Sequence, residues 1–172
     1  MPVEALRIGV VAELRAPVTR WGGPVLRPVA VLPEEPATPP RSRLPGGAQW
    51  YLGAPALVLH SGDAGHLRDN LASGRPTVWV ALRGVAPDSA EIVAVTADPY
   101  EGEGLAGDPD LTVEAVPMPA AIAARVADFA KRHHVEIPFR KRRRSPASDP
   151  DLRAPRILRP DQKWGHKEGG DG

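Results

Sequence analysis

His66, Arg68, Asp69 and Asn70 stand almost side by side in the stretch HLRDNLASGRPTVWVALRG, residues 66–84, and Arg83 closes it. Arginine forks suit bidentate recognition of a carboxylate or phosphate, and Asp and Asn add hydrogen-bonding partners. The same residue types also serve ordinary structure. In a helix over 64–73, Leu67 and Leu71 share a face, so Arg68 and Asp69 point elsewhere and Asn70 lies near His66. The simplest reading is an amphipathic helix, a glycine turn and a buried strand ending in Arg83. The sharper one is an anion or partner site at a sheet edge, with contacts from Arg68, Asp69, Asn70 and Arg83, joined by Tyr100 and Glu101.

The remaining chemistry-bearing residues form no recognisable set. His60 and His66 have no standard metal spacing and no third ligand close in sequence. His133 and His134 sit where a last helical turn favours cationic or hydrogen-bonding side chains. Ser61, Ser73 and Ser89 fall in turns, and none stands in a nucleophile elbow. GEGLAG (102–107) matches the letters of a dinucleotide-binding loop but lies in an acidic stretch with no helix expected after it. Asp98, Glu101, Glu103, Asp108 and Asp110 would repel a pyrophosphate; they would attract a cation, though not at EF-hand spacing. The chain has no cysteine, which removes thiolate zinc sites, cysteine nucleophiles and disulfides. No catalytic set, cofactor or metal site is therefore expected.

The elements that must position these residues follow from pattern. LRIGVVAEL (6–14) and VLRPVAVL (25–32) read as strands, the second an edge strand or a bulged one because Pro28 cannot donate to a ladder. The proline- and glycine-rich 33–48 reads as a mobile hairpin loop. Short strands follow in QWYL and PALVLH, then the helix 64–73 with Asp63 as N-cap and Gly74 past its end. Strands 76–84 and 90–98 form a hairpin, 99–110 is an acidic loop, and 111–117 is a last strand. The helix 118–135 carries an apolar stripe of Ile122, Val126 and Phe129. Short turns between strands imply an α+β fold: an antiparallel sheet forming a roll or half-open barrel, one short helix between strands, and a C-terminal helix closing the open face.

Charge divides the chain. Residues 1–130 carry 10 basic and 15 acidic side chains, net −5; residues 131–172 carry 12 and 6, net +6. The expected organisation is a single domain over 1–135 and a basic, Pro/Gly-rich, disordered tail over 136–172. The run Arg140, Lys141, Arg142, Arg143, Arg144 suits a solvated tail, docking on an acidic protein surface, or phosphate-backbone binding. Nucleic acid is the least favoured, since no aromatic platform accompanies it. No run is long enough to insert in a membrane, and a soluble cytoplasmic protein is expected.

IGVVAELR, then GGPVLRPVAVLP, LVLHSGDAGHLRDNLASGRPTVWVALR, VTADPYEGEGL and VEAVPMPAAIAARVADFAKRHHVEIPFRKRRR follow in order. Over about residues 6–144 this resembles the bacterial domain-of-unknown-function family 3305. The resemblance implies a setting among formate dehydrogenase and molybdenum-cofactor genes. Some members carry the label molybdopterin-guanine dinucleotide biosynthesis protein A. A nucleotidyltransferase needs a glycine-rich loop with a basic residue after its first strand; VVAELRAPVTRWGG stands there instead. The expected function is a non-catalytic accessory or assembly factor whose client is a formate dehydrogenase or related molybdoenzyme. The alternatives are a molybdenum-cofactor biosynthesis or carrier protein, and a nucleic-acid-binding module using the basic tail. Trp21, Trp50 and Trp79 read as core or rim aromatics.

Overall fold

A computed structural model describes residues 1–133. The expectations for 136–172, including the run 140–144, lie outside the described residues, as does His134.

The long apolar run at the start is two strands, not one. β1 (Val3–Arg7) pairs antiparallel with β6 (Ala56–His60), while β2 (Gly9–Arg15) pairs with β3 (Val25–Leu32) and β5 (Gln49–Gly53). The chain changes sheets at Ile8, whose N–H donates to the Pro55 carbonyl. β3 lies at the edge of its sheet, and its register breaks beside Pro28: Val11 faces Ala30 and Ala12 faces Pro28, leaving Val29 as the extra residue of a bulge. Edge position and bulge, the two devices that accommodate a strand proline, both occur here.

Residues 33–48 meet the strands at two points. They include β4 (Ser42–Arg43), which pairs with β5. Arg7 bridges to Glu35 at 3.4 Å, and the Arg43 guanidinium donates to the Gly47 carbonyl. Beneath, the Tyr51 hydroxyl is buried without a hydrogen-bond partner; burial, then the charge of Glu35, raise its pKa above the ordinary 10.0.

β7 (Thr77–Arg83) is the centre of a three-stranded sheet between β8 (Glu91–Thr96) and β9 (Thr112–Pro117). The β7–β8 hairpin forms as the sequence implies. The fold is mixed α+β with antiparallel sheets, and these sheets stay open rather than closing a barrel. β3 lies beside β9, and β6 beside β8. Three helices complete the described part, one more than expected: α1 (Ala64–Ala72), α2 (Pro99–Ala106) and α3 (Ala120–His133). Among the described residues, no helix is long and apolar enough to cross a membrane.

The core joins alternating residues of the strands (Leu6, Val10, Leu26, Leu57, Val78, Val80, Leu82) to Leu67 of α1 and Ile122, Val126 and Phe129 of α3. α3 packs against α1, as its apolar stripe requires. Arg125 and Arg132 of α3 also reach Glu4 of β1, at 2.8 and 2.7 Å. Hydrogen bonds from Arg125, then Arg132, hold the Glu4 carboxyl below its ordinary 4.5, against a small opposing effect of burial. A lowered folded value means this stabilisation is full above 4.5 and fades as pH falls through the folded pKa. Both arginines are more than half exposed, so water screens the pairs. Glu4→Gln should cost on the order of 0.5 kcal/mol in urea unfolding at pH 7 and less at pH 3. An equal gap at both pH values would contradict the ion-pair origin.

Candidate functional site

The polar residues of the described chain converge at the corner where α1 and α2 begin. α1 starts from a 3-10 turn, Ser61–Asp63. Asp63 holds the N-cap position of α1, as expected, but the turn leads directly into the helix and its side chain makes no cap bond. Its carboxylate is left available three residues before His66, one helical turn away. At the other end Gly74 has φ +78°, the left-handed conformation that lets the chain leave the helix for β7.

α2 occupies the segment expected to be an acidic loop. Asp98 is its N-cap, with Oδ1 accepting from the Tyr100 N–H at 2.9 Å, and Pro99 takes the first helical position. Glu101 stands where a capping-box glutamate reaches back to the cap residue's N–H. Here a hydroxyl is interposed: the Asp98 N–H donates to Thr96 Oγ1 at 3.1 Å, and that hydroxyl donates to Glu101 Oε2 at 2.6 Å. GEGLAG therefore lies inside a helix and its following turn, and provides no phosphate-binding loop.

The two helix starts meet through His66, whose Nδ1 hydrogen-bonds Asp98 Oδ2 at 2.9 Å. Asp98 is 8% exposed. The bond to Asp98 raises the His66 pKa above its ordinary 6.5; burial opposes this, and the charges of Asp98, Asp63 and Asp69 add to it. The Tyr100 ring packs on the imidazole with centroids 4.5 Å apart. Tyr100 itself remains 65% exposed.

Asn70 belongs to the same corner but faces inward. Its Nδ2 donates to the carbonyls of Thr77 and Ala97, both at 2.8 Å, and its Oδ1 accepts from the Thr77 N–H at 3.1 Å. One amide thus joins α1 to the start of β7 and the end of β8. Its hydrogen-bonding capacity is used on backbone, which suits a structural post rather than a ligand contact.

Two open grooves flank the corner. One, of about 510 Å³, lies between α1 and α2 and is lined by Asp69, Arg75, Trp79, Tyr100 and Glu103. The other, of about 690 Å³, runs between β6 and β8 and is lined by His60, Asp63, Asp98 and Glu101 among apolar residues.

Of the sequence-predicted contacts, Arg68 and Asp69 are exposed on α1, 3.9 Å apart. Tyr100, on α2, lines the same groove as Asp69, whereas Glu101 bonds to Thr96 and lines the β6–β8 groove. Arg83 is not brought to this corner: it ends β7, roughly 20 Å along the strand from Thr77 at about 3.3 Å per residue. There it pairs with Glu91 at 3.3 Å. The grouping that sequence reasoning missed is Asp63, His66 and Asp98, whose ligand-type atoms lie within 4.8 Å of one another. Asp98 joins His66 from 32 residues downstream, and His60 is not part of the group. The D-P-x-E cap signal at 98–101 could have shown where that carboxylate is fixed, but not what it meets.

No curated protein and no solved structure matches the chain. The family model described as "Protein of unknown function (DUF3305)" matches residues 7–143, which spans the strands from the end of β1 and all three helices. The chain belongs to the DUF3305 family.

Proposed function

We propose that the protein is a non-catalytic accessory or assembly factor that binds its client through the α1–α2 face. The client we propose is a formate dehydrogenase or related molybdoenzyme, the partner that the family resemblance implies. The observation that carries the binding role is Tyr100. It is a large aromatic left 65% exposed, yet its ring packs on the His66 imidazole and its backbone is fixed by the cap bond to Asp98. A rigid exposed aromatic loses little side-chain entropy on docking, and tyrosine is enriched among residues that dominate interface energies. Exposed Arg68 and Asp69 on the facing helix supply a polar rim, and the groove with Trp79 supplies apolar contact.

The test is a tagged pull-down from the native organism grown with formate and molybdate, read by quantitative mass spectrometry. Wild type should recover molybdoenzyme subunits, and Tyr100→Ala should recover them at least about tenfold less, the loss of a modest hot spot. The variant's thermal unfolding should match wild type closely enough to exclude misfolding. Equal recovery by Tyr100→Ala would remove this face from the interface. Failure of wild type to recover any molybdoenzyme subunit would remove the client.

A further inference from the structure

The geometry points to a divalent transition-metal site at the mouth of the β6–β8 groove, with Asp63, His66 and Asp98 as protein ligands and Zn2+ as the best-suited ion. It goes beyond the docking role and does not depend on it.

Three features carry it. The first is ligand type and reach. Imidazole and carboxylate are both ordinary donors to Zn2+, with bonds of about 2.0–2.2 Å. The three ligand atoms already lie within 4.8 Å of one another, and His66 Nδ1 and Asp98 Oδ2 are 2.9 Å apart. Ligands on one such ion sit roughly 3–4 Å apart, so small side-chain rotations close the triangle. An imidazole ligand favours a transition ion over Mg2+ or Ca2+, which prefer oxygen.

The second is preorganisation. Asp98 cannot swing freely, because its Oδ1 is engaged by the Tyr100 N–H and this leaves Oδ2 directed at His66. The His66 ring is packed by Tyr100. Asp63 and His66 project from consecutive turns at the start of α1. Outer hydrogen bonds of this kind orient metal ligands and tune their affinity.

The third is the character of the groove that borders the triad. The groove onto which Asp63 and Asp98 open contributes two more donor side chains, His60 and Glu101, while neither Lys nor Arg lines it. Its ionisable lining is thus three carboxylates and one further imidazole, with no fixed cation to neutralise them. The groove leaves space for water or a ligand atom at a vacant metal position, as an open rather than closed site requires.

The test uses the full chain, freed of any tag and stripped with EDTA, titrated with Co2+ followed by its visible absorption and with Zn2+ by calorimetry. One equivalent should bind, and added Zn2+ should displace Co2+. His66→Gln and Asp63→Asn should each weaken binding by at least about tenfold. Asp63→Asn is the safer probe of the site, since that side chain makes no cap bond that folding requires. His133→Gln, on α3, should bind as wild type does. No saturable binding would overturn the proposal. So would binding that survives both His66→Gln and Asp63→Asn. Because the purified chain alone is measured, failure of the client pull-down leaves this result standing, and the reverse also holds.

Discussion

Asn70→Ala should lower the unfolding free energy by about 3 kcal/mol, because it orphans three backbone groups at once. The Ala97 carbonyl is the most expensive, since that residue is 1% exposed and water cannot replace the lost donor. The Thr77 N–H and carbonyl are half-buried and recover part of their bonding from solvent. An unsatisfied buried group costs about 1–3 kcal/mol, and the three together exceed one such loss without reaching a simple sum. For a domain of this size the melting temperature should fall by on the order of 10 °C. Asn70→Asp keeps shape and volume and should do at least as much damage. It presents carboxylate oxygen to two carbonyls where the amide presented N–H, and it buries a charge. Asp69→Ala, one residue away but exposed, should change stability by less than about 0.5 kcal/mol. Urea unfolding of the three variants is the measurement. A loss below about 1 kcal/mol for Asn70→Ala would mean that the amide does not hold these groups in solution.

That contrast between neighbours also marks how far the sequence could be read. Leu67 and Leu71 set the helix, and the helix placed Arg68 and Asp69 outside. Whether Asn70 faced a ligand or the fold depended on Ala97, a residue 27 positions away that no local pattern connects to it. The same limit hid the grouping of Asp63, His66 and Asp98. His66 and Asp98 meet only because the fold brings α1 and α2 together, and pairing between elements leaves no spacing signature. Some local physics was read correctly. Pro28 could not donate, and the strand is both edge and bulged at that point. Ile122, Val126 and Phe129 recur at helical spacing, and all three are buried.

Two local readings failed for instructive reasons. The run 6–14 carries one weak signal of a break, Gly9, which stands where β2 begins, and its division at Ile8 follows the partners of each half, β6 and β5. The segment 99–107 carries glycines at 102, 104 and 107, which disfavour a helix by about 1 kcal/mol each. Together with the acidic residues they read as a loop. The structure makes the segment a helix because the caps at 98–101 are satisfied and because one of the glycines is needed for packing rather than merely tolerated.

Gly102 is that residue, and it gives the second large expected effect. α2 lies across the central strand β7, with Gly102 directly over the indole of Trp79. A Cβ at this position would stand 2.2 Å from Cγ of the ring and 2.5 Å from Cδ1 and Cδ2. Carbon atoms in contact sit about 3.5–4.0 Å apart, so no small adjustment accommodates it. Trp79 is on a strand paired on both sides, opposite Thr96 and Ala115, and its backbone cannot retreat. Gly102→Ala must therefore lift α2 or force the indole from its rotamer, at about 3 kcal/mol, the upper part of the overpacking range. Gly104→Ala has open space around its would-be Cβ. It should stabilise the protein by roughly 0.5–1 kcal/mol through helix propensity alone. Adding Trp79→Val to Gly102→Ala should relieve the clash, so that the double variant is less destabilised than the sum of the singles by more than about 1 kcal/mol. Additive behaviour would show that α2 does not rest on the indole. The effect should extend beyond stability. Lifting α2 moves the Asp98 cap and Tyr100 together, because the Tyr100 N–H is bonded to the Asp98 carboxylate. Gly102→Ala should then weaken both Co2+ binding at Asp98 and client recovery through Tyr100, while Gly104→Ala on the same helix leaves both unchanged.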